Sequence, residues 1–283
     1  MAIDKKILQT RSRTAIVFVA VMLLGLLWNK WSFFLLFSVI HFGCWWEYLK
    51  LVEKIQKQPF HFLVKSGLMF LSFSMLLFSA TELNLSIIGF LIADLFLPVF
   101  ICGATLIVLG NFNTHRNDLK ANAFTAFGLI YISLSLAFMI DLFDLKAIEI
   151  SNIFFPFLII ITIWLNDSLA YFVGSLIGKT PLSKVSPKKT WEGTVGGIVC
   201  TMIILGAVGY FNSVMEITHL LFIVGIVTIA GTFGDLFESK LKRMAAVKDS
   251  GSFMPGHGGF LDRFDSLLFA IPAVWVYIYC CMK

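Results

Sequence analysis

Along the chain, apolar residues gather in runs near positions 14–28, 31–47, 61–80, 85–110, 122–141, 151–173, 194–212, 218–236 and 264–281, with polar residues concentrated between them. A helix crosses about 30 Å of hydrocarbon with roughly 20 predominantly apolar residues. The pattern therefore predicts an all-α, polytopic integral membrane protein of about nine transmembrane helices. The first run is short, and the fourth is long and interrupted by Asp94 and Pro98. The leading stretch MAIDKKILQTRSRT has the positive charge of a secretion signal. No small-residue cleavage site clearly follows the first run and a second begins at once, so the expectation is a retained span. The expected organisation is about five N-terminal spans over 1–150 and a catalytic region of about four spans over 151–283, with its working residues on cytoplasmic loops.

Composition agrees with the pattern. Of 283 residues 58% are hydrophobic and 30 are Phe, and the mean hydropathy of +0.88 excludes a soluble domain of this size. Cys44, Cys102, Cys200, Cys280 and Cys281 lie in or beside apolar runs without metal-type spacing, which predicts buried thiols.

Charge adds direction, because loops rich in Lys and Arg stay on the cytoplasmic side. With nine spans and a cytoplasmic N-terminus, only Lys30, Lys146 and Lys283 of the 22 basic residues fall on the opposite face. One miscounted span would scramble this asymmetry, so it supports both count and orientation in the cell inner membrane. Topology and attraction to anionic membrane lipids account for most of these cations, and no nucleic-acid partner is expected.

Two cytoplasmic loops need a further explanation. GKTPLSKVSPKKTWEGTVGG (178–197) and GDLFESKLKRMAAVKDSGSFMPGHGGFLDRFDS (234–266) mix cations with acids, hydroxyls and glycines. If the second begins as a helix, Asp235, Glu238 or Ser239, and Lys242 follow at spacings of three or four and share one face. A solvated face with local ion pairs is the plain alternative. Asp235 weighs against it, since an acid near the membrane boundary is costly and commonly functional.

Gly256, Gly258 and Gly259 permit close backbone approach to an anion, and the following helix N-terminus adds partial positive charge. Asp262 and Asp265 then face one way, with Arg263 between them. Carboxylates near phosphate repel it unless a divalent cation intervenes, which is how Mg2+ is commonly held. His257 serves either as a general acid or base, or as a hydrogen-bonding residue that orients the turn. In the earlier loop Ser186, Lys188, Lys189, Thr190 and Glu192 cluster around a proline, where lysines suit a polyphosphate. Just upstream, Asn166 and Asp167 sit at the membrane edge. GSLIGKT (174–180) imitates a phosphate-binding loop but has three residues between its glycines where four are needed, and no strand precedes it.

These residues resemble the phosphatidate cytidylyltransferase (CDP-diacylglycerol synthase) family. Its long signature is met by Ser239, Lys242, Arg243, Lys248, Asp249, His257, Gly258, Gly259, Asp262, Arg263 and Asp265, and the SPKKTWEG and ND…AY…G…GK stretches are similar to its other shared elements. Ser175 departs from the pattern, where a basic residue is often expected. The resemblance covers roughly 160–270; the first 150 residues match only as generic membrane helices. It implies transfer of a cytidylyl group from CTP to phosphatidate in the bilayer, giving CDP-diacylglycerol and pyrophosphate. It also implies Mg2+ at the acids Asp235 and Asp262, beside which a monovalent cation such as K+ is compatible. The expected catalytic set is Asp235, Asp262, Lys242, Arg243, Asp249, His257 and Arg263. Ser186, Lys188, Lys189, Thr190, Glu192, Asp167, Ser239, Lys248, Gly258, Gly259 and Asp265 would contact substrates. A homodimer is compatible with such an enzyme. The rivals are a CTP-dependent lipid kinase, a cytidylyltransferase for another lipid phosphate, and a transporter or channel for an anionic solute.

Overall fold

The computed structural model describes residues 5–81, 83–87, 90–112, 119–144, 153–213, 215–253 and 258–282. Among them eight helices are long and apolar enough to cross a membrane, and the run expected at 14–28 forms a shorter apolar helix, Ser12–Leu27. The helices are α1 (Lys5–Leu27), α2 (Lys30–Gln56), α3 (Phe62–Ser79), α4 (Phe96–Phe112), α5 (Leu119–Gly128), α6 (Ser135–Asp141), α7 (Phe154–Ile177), α8 (Trp191–Asn212), α9 (Ile217–Met244) and α10 (Leu261–Cys281). A six-residue π-helical turn links α5 and α6 into one span. The protein is an all-α polytopic integral membrane protein.

The fourth run departs from a simple helix. Its first residues pair as a short antiparallel hairpin, Ser86–Ile87 with Phe90–Leu91. A 3-10 turn follows, in which Asp94 Oδ2 accepts from the Leu91 backbone N–H at 3.2 Å. Pro98 then falls in the first turn of α4, where its missing N–H has no intrahelical partner to lose.

The chain divides into two compact units, Met1–Asp141 with Met244–Phe264, and Leu142–Arg243 with Asp265–Lys283. In the first, α2 supplies much of the core: Phe33, Phe37, Trp45 and Tyr48 are fully buried. α3 and α4 meet through small residues. A Cβ on Gly103 would lie 2.5 Å from the Leu71 nitrogen and 2.8 Å from the Gly67 carbonyl oxygen. In a membrane, where lipid is as apolar as the helices, such close backbone approach is what holds spans together. Gly103→Val is expected to destabilise this pair by about 1–3 kcal/mol, read as a lower unfolding temperature in detergent.

In the second unit α7 and α8 approach at Ala170 and Gly197, where a Cβ on the glycine would sit 2.7 Å from the alanine Cβ. α9 and α10 are joined by His219 Nδ1 and the Tyr277 hydroxyl at 2.9 Å and by Phe237 and Phe269. A Cβ on Gly234 would collide with the Asp265 carbonyl oxygen, so glycine permits the contact.

The cysteine expectation is corrected in part. Cys44 is buried, but Cys102, Cys280 and Cys281 are exposed on their helices. An apolar run in a membrane protein has a lipid-facing side, so run membership does not mean core membership.

Candidate active site

In the second unit the segment between α7 and α8 folds back on itself. The Leu182 N–H donates to the Lys189 carbonyl at 2.7 Å, Trp191 N–H to Thr180 at 2.9 Å, and Lys189 N–H to Ser186 at 3.1 Å. Glu192, in the first turn of α8, fastens the start of the loop. Its carboxylate accepts from the backbone N–H groups of Lys179 and Thr180 and from the Thr180 hydroxyl at 2.8 Å. Thr190 caps α8, its Oγ1 accepting from the Gly193 N–H at 3.1 Å. Thr190, Glu192 and the Ser186 carbonyl thus shape the loop, while Lys188 is exposed.

The Lys189 ammonium lies 2.6 Å from Asp235 Oδ2 on α9. Burial works against its charge, but Asp235, the hydrogen bond to it, and the carboxylates of Asp167 and Asp265 outweigh that effect. They hold the Lys189 pKa above its ordinary value. Asp265 is buried, with Oδ1 accepting from the Ser266 N–H at 2.7 Å. One turn beyond Asp235, the fully buried Glu238 pairs with Lys242 at 2.5 Å. The expected face of α9 therefore contains a local ion pair, and Ser239 beside it is buried. Arg243 is exposed.

Carboxylate oxygens are hard ligands suited to Mg2+. Three carboxylates, those of Asp167, Asp235 and Asp265, lie within electrostatic reach of the Lys189 ammonium. Among the described residues no group of three or more His, Cys, Asp or Glu forms a ready-made metal cage.

In the first unit Asp262 organises the glycine turn. Its Oδ2 accepts from Gly259 N–H at 2.7 Å and Ser250 N–H at 3.0 Å, and lies 2.9 Å from Ser250 Oγ. Gly258 has φ +87°, a conformation that penalises any side chain. The anion met by the Gly259 N–H is the protein's own carboxylate. Lys248, Asp249 and Arg263 are exposed, and His257 lies outside the described residues.

Sequence reasoning missed Glu47. This acid on α2 is buried, and its Oε2 accepts from Ser250 Oγ at 2.7 Å and from the Leu261 N–H at 3.0 Å. The available signal was an acid inside a membrane helix, which is costly without partners. At the end of the run 31–47 it passed for the boundary of the span.

The fold and these clusters define an integral membrane protein whose polar machinery sits on helix ends and connecting loops. Residues 9–281 match the cytidylyltransferase family, and the chain belongs to it. Its relatives include proteins named phosphatidate cytidylyltransferase. That of Bacillus subtilis (strain 168) is 40% identical over 157 residues, 54% of this chain and 56% of the relative. That of Staphylococcus aureus (strain COL) is 40% identical over 152 residues, 53% and 56% of the two chains. These two matches span little more than half the relatives' length. The Staphylococcus saprophyticus protein is 35% identical over 237 residues, 74% of this chain and 90% of that one.

Proposed function

We propose that the protein transfers the cytidylyl group of CTP to phosphatidate, giving CDP-diacylglycerol and pyrophosphate at the cytoplasmic face of the cell inner membrane, with its N-terminus on that side. The observation that carries the reading is the Lys189–Asp235 pair, with Asp167 and Asp265 in electrostatic reach, at the polar ends of apolar helices. A membrane-embedded substrate and a polyanionic soluble one both need such a place.

Phosphatidate is a phosphate monoester with a second pKa of about 6 by analogy with phosphorylated side chains, so it is largely dianionic near neutral pH and needs no strong base. Its oxygen attacks the α-phosphorus of CTP in line. The new O–P bond forms as the bond to the β-phosphate oxygen breaks, and pyrophosphate leaves with the electron pair. Lys188, Lys189, Lys242, Arg243 and Arg263 supply positive charge for the leaving group. Mg2+ would be held by Asp235, to which the family resemblance adds Asp262, and when bound it screens repulsion between the two anions. The acyl chains stay in the bilayer while the headgroup reaches toward Asp167.

The test is purified protein with CTP, phosphatidate and Mg2+, each replaced in turn. Label from the α-phosphate of CTP should enter the lipid. Entry of the γ-phosphate instead would indicate a lipid kinase, preference for a polyprenyl phosphate another acceptor, and solute flux without nucleotide consumption a transporter.

A further inference from the structure

We propose that Glu47 is a positioning residue, a carboxylate on α2 that anchors the glycine turn and thereby holds Asp262 in its working orientation. The role rests on the proposed reaction, but the anchoring stands on geometry alone. Glu47 Oε2 takes one donor from each side of the turn, the Ser250 hydroxyl at 2.7 Å and the Leu261 N–H at 3.0 Å. It thus ties Ser250 and Leu261 to one buried group. Ser250 Oγ also lies 2.9 Å from Asp262 Oδ2, and Leu261 immediately precedes Asp262. Glu47 therefore acts on Asp262 through both neighbours without touching it.

The turn is shaped for this acid. A Cβ on Gly251 or on Gly259 would run into the Glu47 carboxylate, so both positions must be bare. One helical turn earlier on α2, a Cβ on Gly43 would lie 2.5 Å from the Phe260 ring, and that ring packs against Phe253 at 4.2 Å. Gly43 and Glu47 share a helix face: one receives an aromatic ring of the turn, the other its hydrogen bonds. An acid in a membrane helix is costly unless its oxygens are satisfied, and here the Ser250 hydroxyl and the Leu261 N–H of this turn donate to it.

The experiment compares Glu47→Leu and Glu47→Gln in the full-length protein, measuring kcat and KM for CTP and amide hydrogen exchange across 248–261. Gln keeps an acceptor oxygen and should stay within about threefold of wild type in kcat. Leu removes the acceptor and should lower kcat by on the order of tenfold or more, with KM for CTP much less affected, while exchange at Ser250 and Leu261 accelerates by a similar factor. Ser250→Ala, which removes one of the two links, should give a smaller change of the same kind and serves if the Leu variant does not insert. Unchanged exchange in Glu47→Leu overturns the anchoring. Faster exchange with wild-type kcat overturns the positioning role. Wild-type protein inert toward CTP and phosphatidate would overturn the proposed reaction instead, and the exchange comparison would still decide the anchoring.

Discussion

Asp235→Asn is expected to lower turnover of CTP by about two orders of magnitude or more while the protein still inserts and folds. The substitution conserves shape but removes the negative charge that pairs with Lys189 at 2.6 Å and that would serve as the anionic ligand assigned to Mg2+. Fold should survive because the pair is only partly buried, with side-chain exposures of 33% and 24%. A partly solvated pair of this kind contributes about 1 kcal/mol or less. Initial rates with phosphatidate, set beside a detergent melting curve, separate the two effects. Full activity in a properly folded Asp235→Asn protein would remove the metal assignment.

Asp262→Asn should cost turnover on a similar scale, about two orders of magnitude, for a related and partly different reason. Asp262 Oδ2 accepts from the Ser250 and Gly259 backbone N–H groups and lies close to the Ser250 hydroxyl, whose single proton it shares with Glu47, and bonds to a charged acceptor are roughly twice as strong as neutral ones. An amide oxygen can receive the same N–H groups more weakly, but it offers no anionic ligand to a cation. The expected signature is lost activity with partial loosening at Gly259, while the Leu261 amide, held by Glu47, keeps its slow exchange. Loss of protection at Leu261 as well would mean that Asp262, and not Glu47, carries the turn.

The glycines mark where the structure shows an immediate role that sequence reasoning did not reach. Gly258 and Gly259 read in sequence as room for a phosphate, and in the structure Gly259, together with Gly251, makes room for the Glu47 carboxylate. In the same way Thr190 and Glu192, read as substrate contacts, hold the loop and the start of α8 in place. The mixed charge of both loops was legible, as was the chance of a local pair such as Glu238 with Lys242; partners distant in sequence, such as Asp235 for Lys189, were not.

What the sequence determined by itself is the set of spans and the candidate chemistry. Hydrocarbon thickness imposes a length on every crossing helix, so the runs announce themselves without reference to any neighbour, and a long signature of acids, cations and glycines carries its meaning in spacing along one segment. Only tertiary structure decided which groups meet. Glu47 and Ser250 are 203 positions apart, and Lys189 reaches Asp235 from a separate loop. A hydrogen bond or ion pair of this kind depends on how helices distant in sequence pack, and the charge on a residue says that it needs a partner without saying where that partner lies.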